Sequence, residues 1–350
     1  MIGINAFGVS IHVFGNNVFC IKGNLNLALP ILTHGFASQG HCPVHCVAPP
    51  GNPDNWLLLP KIRHTNPGKP IILLLFHSFT QAVMATLTNQ QDIDAMRAAC
   101  EDAARVLDHV APQIKPGMTT GEINKICHDF MTEMGVESAT IGYQPPGYPP
   151  FTGAVCTSVN HVICHGIPGD KKLKSGDVLN IDVTIIKNGW FGDTSRMFYV
   201  GAPSILARRL TDITYECMWL GIEQVRPGAT LGDIGHAIQK HAESNGFSVV
   251  REYCGHGIGQ RFHEDPQVLH YGKPGEGLTL EQGMVFTIEP MINAGRRETR
   301  VLADQWTVVT RDHSLSAQWE HTLIVTESGY DVLTRSPGMP APPAFVKSLP

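Results

Sequence analysis

Residues 179–199 read LNIDVTIIKNGWFGDTSRMFY. Asn188-Gly189 stands between two runs of β-branched and aromatic residues, the strongest short-range signal for a two-residue hairpin turn. With those two residues at the tip, Lys187 faces Trp190, Thr184 faces Asp193 and Asp182 faces Ser195. Side chains alternate along a strand, so Asp182 and Thr184 share a face and Asp193 joins them. The two carboxylates are then diagonal cross-strand neighbours, roughly 7–8 Å apart at Cα. No Lys or Arg shares that face, so the pair repels unless a cation lies between them. A solvated hairpin with two surface acids is the alternative, and residues later in the chain weigh against it.

Those residues lie in the second half. Cys254 to Gly259 read CGHGIG, so glycines bracket His256 and would let a ligand approach the backbone closely. His263 follows in FHE. Glu289 closes the strand-like run VFTIE, and Glu320 interrupts the apolar run AQWEHTLIV. A carboxylate in such a run is rarely buried unless paired or metal-bound. Singly, each is read more simply as a surface acid or a satisfied core histidine. Together, two Asp, two Glu and one His near strand positions form an oxygen-rich set. It suits two adjacent divalent ions of the Mn, Fe, Co or Zn kind, about 3.5–4 Å apart in hydrolases.

A repeat organises the flanks. IKPGMTTGEINKICHDFMTEMGV (114–136) aligns without gaps to VRPGATLGDIGHAIQKHAESNGF (225–247), at an offset of 111. Thr119-x-x-Glu122 is a capping box and Gly135 a helix stop. Each copy follows another helical stretch, 92–110 and 207–224, the first capped by Thr88 or Asn89 and ended by Pro112. The expectation is one mixed α/β (α+β) domain of two related helix–helix–strand halves. A site at their junction would draw ligands from both.

Composition sets the limits. The net charge is −5 and the pI about 6.4, which gives no electrostatic footprint for nucleic acid. Nine cysteines without a framework argue for reduced thiols and a cytoplasmic setting. Residues 1–83 carry five charges (Lys22, Asp54, Lys61, Arg63, Lys69), against 52 in the other 267 residues. They read as a low-charge extension, either disordered or upstream of a true start at Met84. His41, Cys42, His45 and Cys46 with Cys20 lack the second CxxC pair of a zinc ribbon. Ile71 to Phe76 is apolar but far too short to span a bilayer. Residues 336–350 form a Pro-rich tail.

GYxxxxYP (142–149), CxSVNxVxCHGIP (156–168), NIDVTxxxxGxxGDTSRMF (180–198), CGHGIGxxFHEDP (254–266), GMVFTIEPM (283–291) and QWEHT (318–322) resemble methionine aminopeptidase. The resemblance runs from about Met84 to Arg335. Only 33 residues separate His256 from Glu289, as in the bacterial type I form. It implies the pita-bread fold, a curved antiparallel sheet covered by helices with internal two-fold pseudo-symmetry. It implies co-translational removal of the initiator methionine where the second residue is small. Asp182 would chelate one of two divalent ions (Co, Mn, Fe or Zn), Asp193 and Glu320 would bridge both, and His256 and Glu289 would complete the second. Water between the ions would be the nucleophile, Glu289 the proton shuttle, and the substrate amine would bind on the Asp182 side. His165 and His263 would contact the scissile amide and the oxyanion, and Thr184 would support the ligands.

Tyr143, Tyr148, Cys156, Cys164, Phe262 and Trp306 match the family's methionine pocket, where sulfur and aromatic edges suit a thioether. Asn160, Val162 and Ser316 resemble its monovalent-cation (Na or K) site. Nascent-chain N-termini are the implied partners, with transient ribosome contact from function alone, no membrane and a monomer. Thr140 departs from the family, standing where some relatives have a pocket cysteine, and residues 1–83 match nothing in it. An X-Pro aminopeptidase or prolidase resembles the same fold and ligands. The Tyr143/Tyr148 loop and the short catalytic region count against it. A binding module that has lost catalysis would lack ligands that are present here.

Overall fold

The structure is a computed structural model that describes residues 86–346 continuously, with five short strands between Ile2 and Leu58. The chain divides into two compact units, Met1–His77 and Ser78–Pro350. In the first, Ile2–Ala6, Val9–Phe14 and Val18–Gly23 form an antiparallel sheet, and Cys46–Val47 pairs with Leu57–Leu58. Most of the low-charge extension lies outside the described residues, as do His41, Cys42 and His45 of the cysteine-histidine cluster.

The second unit is built on the hairpin Val178–Lys187 and Trp190–Tyr199, whose register pairs Lys187 with Trp190, Thr184 with Asp193 and Asp182 with Ser195. Asn188 and Gly189 have φ of 51° and 82°, the two left-handed positions that such a turn requires. Helix α1 (Gln90–Val110) lies against this hairpin. Asn89 caps it by accepting from the Asp92 amide at 2.8 Å. Met96, Ala99, Cys100, Ala103, Leu107 and Val110 form a stripe at helical spacing, buried in one core with Ile181, Val183 and Ile185. Gly192 is needed there, because a Cβ would stand 2.3 Å from the Ala99 carbonyl.

The repeat survives into the hydrogen bonds. Helices α2 (Thr120–Met134) and α4 (Leu231–Ser244) both start with complete capping boxes, Thr119/Glu122 and Thr230/Asp233. The Gly117 and Gly228 amides donate to Leu173 and Leu280, and those of Gly121 and Gly232 to Gly169 and Glu276. Helix α3 (Ile205–Ile222) precedes α4 as α1 precedes α2. Glu137–Ser138 then pairs with Ile186 and Ile185, and Ser248–Val249 with Asn293 and Ile292. Asp182 and Glu289 each stand three residues before the second of these contacts, so they are pseudo-equivalent.

The strands of the second half are more broken than their composition suggests. Val285–Ile288 belongs to a five-stranded antiparallel sheet, whereas Met291–Asn293 belongs to a three-stranded one. Glu289 lies at the crossing, where Pro290 lacks the N–H to continue a ladder. Ser316–Gln318 and His321–Val325 divide between the same two sheets, with Glu320 at the crossing and its amide on the Ser195 carbonyl at 3.2 Å. Leaving one sheet for another frees each carboxylate from strand alternation and turns it inward.

The Pro-rich tail, described to Val346, docks on the helices. Gly338 N and Ser336 Oγ donate to Asp108 at 3.0 and 2.9 Å, and Tyr215 donates to the Pro340 carbonyl at 2.8 Å. No helix among the described residues is long and apolar enough to cross a membrane.

Candidate active site

One cavity of about 560 Å³ is lined by Asp182, Asp193, His256, Glu289 and Glu320, together with His165, His263, Thr184, Tyr143, Cys156, Phe262 and Trp306. The hairpin supplies the two Asp, and the sheet crossings supply the two Glu. His256 lies on Gly255–Gly257, between Glu264–Val268 and Val285–Ile288. The flanking glycines also serve this packing. A Cβ at Gly255 would meet the Thr287 carbonyl at 2.3 Å, and one at Gly257 the Asp265 carbonyl at 2.1 Å.

Asp193, His256 and Glu320 each offer a ligand atom within 4.8 Å of the others. His256 Nε2 lies 3.6 Å from Asp193 Oδ2 and 3.7 Å from Glu289 Oε1. Thr184 donates to Asp193 Oδ1 at 2.9 Å. Thr287 donates to Glu289 Oε1 at 2.9 Å while accepting from the His256 amide at 3.0 Å, so one hydroxyl ties two candidate ligands together. Gln318 donates to Glu289 Oε2 at 3.1 Å. The sequence reading missed Thr287 and Gln318, yet each stands two residues before a candidate Glu. Gln318 reaches Glu289 across the sheet crossings, which no local pattern announces.

The electrostatics favour a bound cation. Burial raises the Asp182 carboxyl well above its usual range, and repulsion by Asp193 and Glu289 adds to it. Glu320 is raised in the same way, and burial pushes Glu289 up to about 7. Among the described residues, no Lys or Arg forms an ion pair with these groups. Asp182 and Glu320 have no side-chain hydrogen-bond partner there. A buried, oxygen-rich cluster with one imidazole and no countercharge fits divalent metal ions of the Mn, Fe, Co or Zn kind. His165 and His263 differ in kind: burial holds them down at about 4 and about 3, so both rings are neutral near pH 7.

Three of the pocket residues form a continuous wall. Tyr143 lies 4.9 Å from Phe262 and 6.4 Å from Trp306 between ring centroids, and Cys156 is buried beside Trp306 and Phe151. Tyr148 is outside the lining and packs on Trp306 at 5.1 Å. Cys164 is buried behind the cavity, 2 % exposed. Thr140 lines the cavity and donates to the Gly153 carbonyl at 2.8 Å. Asn160, Val162 and Ser316 lie away from it, with the Ser316 amide on the Asn160 carbonyl at 2.8 Å.

Residues 94–327 match metallopeptidase family M24. The chain is 54 % identical over 249 residues to a methionine aminopeptidase of Rickettsia prowazekii, covering 71 % of this chain and 94 % of that one. The chain belongs to the methionine aminopeptidases of family M24. The Escherichia coli K12 methionine aminopeptidase is 53 % identical, over 71 % of this chain and 93 % of its own. The crystal structure of the Rickettsia methionine aminopeptidase superposes with a TM-score of 0.70 at 52 % identity, over 72 % of this chain and all of that one. The Thermotoga maritima methionine aminopeptidase gives 0.69 at 36 %, again over 72 % of this chain and all of its own. A Pyrococcus furiosus prolidase shares the fold alone, at 22 % identity and 0.55, over 72 % of this chain and 66 % of its own. The expected fold and enzyme class are therefore both borne out.

Proposed function

We propose that this chain removes the N-terminal methionine from nascent polypeptides whose second residue is small, in the cytoplasm, using two divalent ions. The convergence of five candidate ligands and two neutral histidines on one cavity carries this reading. Asp182, Asp193, His256, Glu289 and Glu320 would hold the ions. When bound, such ions supply Lewis acidity and make water a nucleophile at neutral pH.

The chain's own groups would do the rest. Glu289, which lines the cavity beside the other candidate ligands, would take a proton at an Oε atom and return it to the leaving amine. The neutral His165 and His263 can donate to the scissile carbonyl as charge develops on its oxygen. Tyr143, Phe262, Trp306 and Cys156 would take the thioether side chain, with Tyr148 at the rim and Cys164 behind. Thr184 and Thr287 hold ligand carboxylates in place. Asn160, Val162 and Ser316 are the candidates for a Na or K ion.

The test offers Met-Ala-Ser, Met-Lys-Ser and Ala-Pro-Ala to the metal-loaded protein, with Asp182→Ala as control. Release of Met from the first peptide only, lost in the variant, is the expected result. Cleavage of Ala-Pro-Ala would move the chain to the proline peptidases. Metal binding with no cleavage would make it a binding module.

A further inference from the structure

Tyr143 lines the cavity, and its hydroxyl has a partner there. It lies 2.8 Å from Nδ1 of His263. No other partner of that hydroxyl is present among the described residues. A phenol that donates to Nδ1 leaves the ring proton on Nε2, because a neutral imidazole carries one N–H. His263 is also held in plane: its ring stacks on Phe262, with centroids 4.1 Å apart at 21°.

The segment carrying Tyr143 is itself tied. The Gly142 amide donates to the Phe151 carbonyl at 2.8 Å, and the Phe151 amide to the Tyr143 carbonyl at 2.9 Å. Phe151 meets Trp306 edge to face at 5.3 Å. One loop therefore joins the aromatic wall to the hydroxyl that grips the histidine.

We infer that Tyr143 is a positioning residue: its hydroxyl fixes His263 as the Nε2–H tautomer, which leaves Nε2–H to donate to the scissile carbonyl. This deepens the proposed peptidase reading and rests on it. No atom is transferred in this role. The hydroxyl keeps its proton and acts only through the imidazole.

Tyr143→Phe removes the oxygen and keeps the ring. Met-Ala-Ser turnover is compared in zinc-loaded wild type and variant. The expected result is a fall in kcat of about 10- to 100-fold, the scale for weakening one oxyanion donor, with KM changed less than about twofold. The second readout is 15N NMR of histidine-labelled, zinc-loaded protein without substrate. The His263 Nδ1 signal should be that of an unprotonated nitrogen in the wild type, with both tautomers present in the variant. A rise in KM at unchanged kcat would make Tyr143 a wall residue only and overturn the inference. So would a protonated Nδ1 in the wild type. An inactive wild type would defeat the peptidase reading instead, and the NMR result would still decide the tautomer.

Discussion

Thr287 is two residues from Glu289 and makes the contact that best shows how the site is held. Its hydroxyl accepts from the His256 amide and donates to Glu289, so neither candidate ligand can turn without disturbing the other. Replacing it by Val keeps the volume and removes both bonds. We expect divalent-ion affinity, measured calorimetrically, to fall about 10- to 100-fold in Thr287→Val with the fold unchanged. An unchanged affinity would mean that the sheet crossing alone orients Glu289. The carboxylates also set a pH dependence. In metal-free protein Glu289 titrates near 7, above its usual 4.5, and Asp182 and Glu320 are shifted in the same direction. The folded state then binds more protons than the unfolded one, so stability is lost as pH rises through 7. The depressed histidines act oppositely, but only below about 6.5, where the unfolded chain takes protons that the folded one refuses. Between pH 6.5 and 8 the Tm of EDTA-treated protein should therefore fall, while that of metal-loaded protein stays nearly level. Parallel curves would contradict the burial of uncompensated carboxylates.

At the scale of elements, the hairpin and the repeated helices were legible because their signals are local. Asn188-Gly189 fixed the turn and hence the register, which placed Asp182, Thr184 and Asp193 on one face. Thr119 announced its capping box through spacing alone, and the structure repeats that box at Thr230. The crossings at Glu289 and Glu320 were not legible, because a switch between sheets depends on strands far away in sequence. The packing role of Gly255 and Gly257 was hidden for the same reason, since the carbonyls that exclude a Cβ come from Thr287 and Asp265. Thr119→Ala and Thr230→Ala should each cost about 1 kcal/mol in denaturant unfolding. Gly257→Ala should cost more than either cap and weaken metal binding too, because it forces apart the strands that present His256. A Gly257→Ala protein of ordinary stability and affinity would show that the strand approach is slack.

At the scale of the whole molecule, the two halves leave between them a cage that neither could build alone, with Asp182 and Asp193 from one and His256, Glu289 and Glu320 from the other. The tail closes the outside of this unit. Asp108 takes Arg196 Nη1 at 2.6 Å, the Ser336 hydroxyl and the Gly338 amide, and Arg196 is buried, its side chain 5 % exposed. Asp108→Ala strands that charge, so a loss on the order of 3 kcal/mol is expected in unfolding experiments. Activity per folded molecule should be kept, because this pair lies outside the cavity lining. The central claim is that catalysis depends on ions held by this cage. The most direct measurement titrates EDTA-stripped protein with cobalt or manganese while recording Met release from Met-Ala-Ser. The stripped protein should be inactive, and activity should rise and saturate with bound metal, but not in Asp193→Ala. Full activity in the stripped protein, or saturation by metal with no release of Met, would contradict it.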